Sequence, residues 1–130
     1  MKKRKEAHIE YRLFVFPSYK EVTRKATTTF RLQTTEQFSN FSYEIVVKDK
    51  VEEKKLSWSI HGLRSPAVSL PSSGPAIFKK EYENLKGVHD FIITKLDGEE
   101  NVFSLSLAEN KIAILKSPKR PFVDIVTSGE

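Results

Sequence analysis

Acid–base chemistry in this 130-residue chain would have to come from three histidines, His8, His61 and His89, working with nearby carboxylates. Two of them have suggestive neighbours. In "NLKGVHDFIITKLDGEEN", residues 84–101, His89 precedes Asp90 directly. The surrounding apolar alternation reads as a β-hairpin, and successive strand side chains point to opposite faces. The adjacent pair is therefore expected to be split between two faces and unable to act as a dyad. One register brings Phe91 and Ile93 onto the face of Phe103, Leu105 and Leu107. That leaves His89 at the margin of the core and Asp90 outside. The rival register turns Val88, Ile92 and Leu96 inward and reverses those roles.

Ser59 and His61 are two positions apart on one expected strand, so they share a face at roughly 7 Å between Cα atoms. A nucleophile and base so placed still need an orienting carboxylate and an oxyanion hole, which no motif designates. The histidines have no HxH or HExxH spacing, and Asp49, Asp90, Asp97 and Asp124 are too scattered for a calcium loop. The glycines at 62, 74, 87, 98 and 129 stand singly, so no phosphate cradle is written in the chain. "LDGEEN" reads as an Asp-Gly hairpin turn. Asn40-Phe41-Ser42 matches a glycosylation sequon at a strand start and carries no weight without an export signal. The expectation is a non-enzyme with no cofactor and no metal.

The absence of cysteine excludes disulfides, thiolate metal sites and cysteine nucleophiles. The net charge of +5 is concentrated at the start, where residues 1–25 hold eight Lys/Arg against three Glu. Lys2, Lys3, Arg4 and Lys5 have nothing apolar to anchor them. Residues 1–7 are expected to form a disordered basic arm, 8–127 a single domain and 128–130 a tail. Glu6, His8, Glu10 and Arg12 interrupt any signal-like apolar run, so a cytoplasmic location is the default expectation. No stretch approaches the ~20 apolar residues that span a bilayer.

The elements that must position these groups are strands. Ile9, Tyr11, Leu13 and Val15 share one face, while Phe14 and Phe16 make the end of that strand apolar on both. From Glu21 to Gln33, Val22, Ala26, Thr28, Phe30 and Leu32 alternate with polar residues. Phe41, Tyr43, Ile45 and Val47 form another face, followed by a charged turn at "KDKVEEKK". Leu56, Trp58 and Ile60 form the next, with Trp58 expected in the core. "LRSPAVSLPSSGP" is a long loop with at most a short edge strand near Val68. "AIFKKEYEN" leads into the hairpin above. A two-residue turn at Glu109-Asn110 would pair Leu107 with Ile112 and Leu105 with Ile114, and "FVDIVT" is the last strand. "TTEQFSNF" is the one plausible helical turn.

Eight or nine short strands predict an all-β antiparallel sandwich, with a small closed barrel as the alternative. The spacing Leu85-x-Gly87 ahead of an apolar strand resembles, at the level of fold, the corner before the penultimate strand of immunoglobulin-like domains. His89 stands where those domains often carry Tyr, and their cysteine pair is absent. The expected function is an interaction or structural module that binds a protein partner through a sheet edge or the Ser65–Pro75 loop. Arg64, Ser65, Val68, Leu70, Ser72 and Ser73 are the candidate contacts. One alternative is an anionic partner, nucleic acid or an acidic surface, held by Lys2, Lys3, Arg4, Lys5, Lys119 and Arg120. Another is a barrel carrying an apolar ligand.

Overall fold

The computed structural model describes residues 8–39, 43–65, 73–108 and 111–127. Among them are nine strands and no helix: β1 (Tyr11–Lys20), β2 (Lys25–Thr34), β3 (Glu44–Glu52), β4 (Lys55–Arg64), β5 (Ile77–Glu83), β6 (Gly87–Thr94), β7 (Glu100–Leu107), β8 (Ile112–Lys116) and β9 (Val123–Val126). They lie in one curled sheet of order β8-β7-β6-β4-β3-β5-β2-β1-β9. Among the described residues its ends, β8 and β9, share no ladder, so the sheet is a half-barrel and the closed barrel considered as the alternative is not formed. The strands are mixed and not all antiparallel: β9 runs parallel to β1, β6 to β4, and β5 to β3. Alternation of apolar residues is the same in either direction, so the sequence carried no sign of this.

The β3–β5 connection is a single residue pair, Glu44 with Ile77, and there the sheet turns over. Rings from strands far apart in the order then meet inside. Phe30 of β2 lies 5.8 Å from Trp58 of β4 and 5.6 Å from Phe91 of β6, centroid to centroid. Trp58 also meets Phe78 edge-on at 5.0 Å. Offset and edge-to-face packing of this kind adds roughly 0.5–1.5 kcal/mol per pair beyond the area it buries. Leu13, Val15, Leu32, Leu56, Ile93 and Leu105 complete the filled interior, all at 0% exposure.

Several expected registers are found. Phe91 pairs with Phe103 and His89 with Leu105, so His89 is buried and Asp90 exposed. The rival register is excluded by the exposure of Val88 (49%) and Leu96 (73%). Leu107 pairs with Ile112 and Leu105 with Ile114; the Glu109-Asn110 turn itself lies outside the described residues. Ile114 is nonetheless 38% exposed, because it stands on the edge strand where the curled sheet ends.

Other expectations are corrected. β1 runs on through Pro17 to Lys20, and the chain turns at Glu21–Arg24, leaving Val22 94% exposed. Arg24 takes a left-handed φ of 57°, a conformation that Gly or Asn would have advertised. Pro17 is tolerated because its nitrogen shares the direction of the Tyr11 N–H, which donates to Phe122 O of the segment leading into β9. β9 has ended by Phe14, so Pro17 faces an edge with no donor required. β3 and β4 likewise extend into the expected charged turn, which shrinks to Glu53-Lys54 with Lys54 at φ 65°. In place of the helical turn at "TTEQFSNF", Phe38 makes a two-bond bridge to Gly74.

Trp58 Nε1 donates to Tyr82 Oη at 2.9 Å, and Tyr82 Oη donates to Asp49 Oδ2 at 2.8 Å. Burial raises the Tyr82 pKa; the Trp58 bond partly offsets this, and Asp49 raises it further. Replacing Tyr82 by Phe strands the indole N–H in an apolar interior. The expected loss is about 1–3 kcal/mol, read as a lower denaturant midpoint at unchanged slope. A Trp58→Phe, Tyr82→Phe double variant should lose less than the sum of the two single changes.

Candidate functional site

The candidate residues fall at one end of the sheet because of the topology. Tyr11, the first residue of β1, pairs with Thr34 at the end of β2 and with Val123 at the start of β9. Glu44 at the start of β3 pairs with Arg64 at the end of β4. The N-terminal root, both ends of the Ser65–Pro75 loop, the β6–β7 turn and the Ser117–Phe122 connection therefore gather together. The described members of the two sets of candidate contacts, Arg64, Ser65 and Ser73 for a protein and Lys119 and Arg120 for an anion, belong to the same end of the molecule.

Buried polar side chains fix the roots of these loops. Thr34 Oγ1 accepts the Ala76 N–H at 2.9 Å and donates to Glu36 O at 2.8 Å, tying the return of the long loop to β2. Asn101, 3% exposed, accepts the Phe122 N–H at 2.8 Å and donates to Arg120 O at 3.4 Å. This anchors the Lys119-Arg120 loop to β7. From sequence Thr34 falls in the expected helical turn and Asn101 in the expected hairpin turn; the structure puts both on the inward faces of β2 and β7.

Lys95, in the β6–β7 turn, is the third anchor. Its ammonium lies 2.6 Å from Glu10 Oε2, 3.1 Å from Glu99 Oε1 and 4.8 Å from the centre of the Phe122 ring. Burial disfavours its charge, but the hydrogen bonds and charges of Glu10 and Glu99 outweigh that, and its pKa is pushed up to about 12. Beside it the Tyr11 hydroxyl is raised, first by burial and then by Glu10.

These anchors frame an open groove of about 410 Å³ lined by His8, Glu10, Tyr11, Thr34, Thr35, Glu36, Phe38 and Leu63. Tyr11 and Phe38 are half-buried, Leu63 is 43% exposed, and Phe38 stacks edge-on with Tyr43 at 5.1 Å. None of the groove residues was singled out as a contact from sequence, since the groove is assembled from segments distant along the chain.

Of the predicted protein contacts, Arg64 is exposed at the β4 terminus and pairs with Glu44 at 2.9 Å, a surface ion pair of small energetic weight. Ser65 and Ser73 are exposed beside the groove's Leu63 wall and the Phe38–Gly74 bridge, respectively. Val68, Leu70 and Ser72 lie outside the described residues, as do Lys2, Lys3, Arg4, Lys5 and Asn40. Lys119 and Arg120 are exposed, and among the described residues neither forms an ion pair.

The histidines stay apart. His89 Nδ1 is 3.4 Å from Gly87 O, a weak local contact, and Asp90 points to the other face. His61 falls at the bulge where Val46 pairs with Gly62 and Val47 with Ile60. Among the described residues it has no hydrogen bond to Ser59 or to a carboxylate. No group of three or more His, Asp or Glu among the described residues is placed to hold a metal ion.

The Lys95 clasp is expected to show in the pH dependence of stability. Its folded pKa lies above the unfolded value of 10.5, so its contribution is complete below that value and lost as pH rises through about 12. Denaturation of the protein and of a Lys95→Met variant should differ by a constant amount between about pH 7 and 10, and the difference should shrink above that range.

Compared with protein-family models, with curated proteins and with solved structures, the chain finds no match.

Proposed function

We propose that the protein is a non-enzymatic interaction module that takes a protein partner in the groove at the root of the Ser65–Pro75 loop. The observation that carries this reading is the groove itself. Two half-buried aromatic rings and an exposed leucine line a concave surface whose walls include Thr34, hydrogen-bonded to Ala76 N and Glu36 O, and Glu10, clasped by Lys95. Amphipathic aromatics in a pre-formed, polar-rimmed hollow are the usual anchors of a protein contact. In the same reading the curled sheet works as two facing layers in the immunoglobulin manner. The single Glu44–Ile77 junction between its halves and the Phe30–Trp58–Phe91 contact across the interior support this.

Sheet-edge pairing is the weaker mode for this chain. The β8 edge exposes Ile114 and Leu115, but the ladder slips between Ser104 and Leu105, and Lys111 and Lys116 flank the strand. Bulges and edge lysines are devices that discourage strand addition.

A second reading, an anionic-polymer binder, draws on the unpaired Lys119 and Arg120 and on the Glu10 N–H, which donates to Phe122 O at 2.8 Å. That bond roots the basic arm two residues from Arg120. It predicts an affinity for duplex DNA or polyphosphate that falls steeply with salt and is lost in a Lys119→Ala, Arg120→Ala variant. Carriage of an apolar ligand has little support, because the interior is filled by side chains.

A photo-crosslinking residue at position 63 tests the groove, with one at position 88, near the opposite end of the sheet, as control. The expected outcome is a protein adduct at 63 and none at 88. With the captured protein purified, Leu63→Asp should weaken binding tenfold or more, about 1.4 kcal/mol, at unchanged melting temperature. Equal capture at both positions, or binding indifferent to Leu63→Asp, would sink the reading.

A further inference from the structure

The groove's charge says what kind of segment fits it. Glu10 shares its carboxylate with Lys95, which also meets Glu99, so this trio retains one negative charge. Glu36 is exposed and has no ion pair among the described residues. An excess of carboxylate in a groove that also holds Tyr11 and Phe38 suits the ammonium or guanidinium of a Lys or Arg side chain, whose methylenes can pack on rings while the charge meets the acids.

A segment of that chemistry adjoins the groove along the chain. His8 lines the groove, and the seven residues before it include Lys2, Lys3, Arg4 and Lys5. At ~3.3 Å per extended residue, seven residues span at most about 23 Å, so chain length alone keeps these cations within that distance of His8, an effective concentration in the millimolar range. An arm rooted elsewhere would have no such advantage over free peptides in solution.

Building on the partner-groove reading, we propose that the basic N-terminal arm occupies its own chain's groove as a built-in competitor, and that the partner displaces it with a Lys/Arg-bearing segment. The arm then sets a threshold: only a segment that outcompetes a tethered cation is admitted. Salt weakens arm and partner together, since both rely on the same two carboxylates.

The experiment compares the full chain with one lacking residues 2–6, using a synthetic peptide of residues 1–7 as the probe. Removing the arm is expected to shift the amide resonances of Thr35, Glu36, Phe38 and Leu63. The peptide should bind the shortened chain at least about tenfold more tightly than the full chain. That binding should fall about tenfold or more on raising salt to roughly 0.5 M, and Glu36→Lys in the shortened chain should abolish it at unchanged melting temperature.

Equal binding to both chains, binding to neither, or resonance shifts confined to Ser117–Arg120 would each overturn the proposal. A dimer in light scattering that becomes monomeric when the arm is removed would place the arm in a neighbouring molecule's groove and overturn the assignment within one chain. Capture through position 63 that persists unchanged in both the shortened chain and the Glu36→Lys variant would remove this inference alone. Loss of position-63 capture altogether removes the groove reading with it.

Discussion

The contact of Phe30 with Trp58 and Phe91 is the constraint on which the rest depends. β2 and β4 are separated in the sheet by β5 and β3, so their aromatic side chains can touch only if the sheet folds over on itself. The sheet yields at the β3–β5 junction, where one residue pair replaces a ladder. Truncating a ring at this centre would cost on the order of 3–5 kcal/mol, a large share of a domain's marginal stability. The Trp58–Tyr82–Asp49 chain keeps the indole N–H satisfied, so the largest core side chain carries no polar penalty.

Folding the sheet over has a second consequence. It brings the start of β1, the end of β2 and the end of β4 to one rim, together with the turn after β6 and the connection before β9. Loops gathered at a sheet end ordinarily move more than the strands that carry them. Here Thr34, Asn101 and Lys95 hold their roots with buried hydrogen bonds and a partly buried ion pair. The groove beside them is thus shaped by the fold itself, and under the proposed reading that lowers the ordering cost of a contact. Free edges are treated differently. β1 presents Pro17 to its open side and β8 carries a bulge between flanking lysines, both features that discourage strand addition.

Much of the strand pattern was legible because it is local. The Leu107–Ile112 and Leu105–Ile114 pairs followed from matching apolar faces across a short turn, and the splitting of His89 from Asp90 followed from the pleat. The β1–β2 turn was not legible. Nothing in "EVTR" marks a chain reversal, and the left-handed Arg24 is stabilised by the long β1–β2 ladder around it. The groove was hidden for another reason: Tyr11, Glu36, Phe38 and Leu63 belong to segments whose proximity depends on the curl. Asn101 and Thr34 read as turn residues in the sequence, so the loop roots they anchor were not legible either.

By itself the sequence determined that water-avoiding side chains recur at every second position, which commits the chain to pleated strands with Trp58 and Leu105 inside. Strand direction, the order β8-β7-β6-β4-β3-β5-β2-β1-β9 and the meeting of distant loops at one rim were decided only by the tertiary structure. The physical reason is that alternation records which face of a strand avoids water but not which strand lies beside it. That choice is made by the rings that must pack together once the sheet turns over.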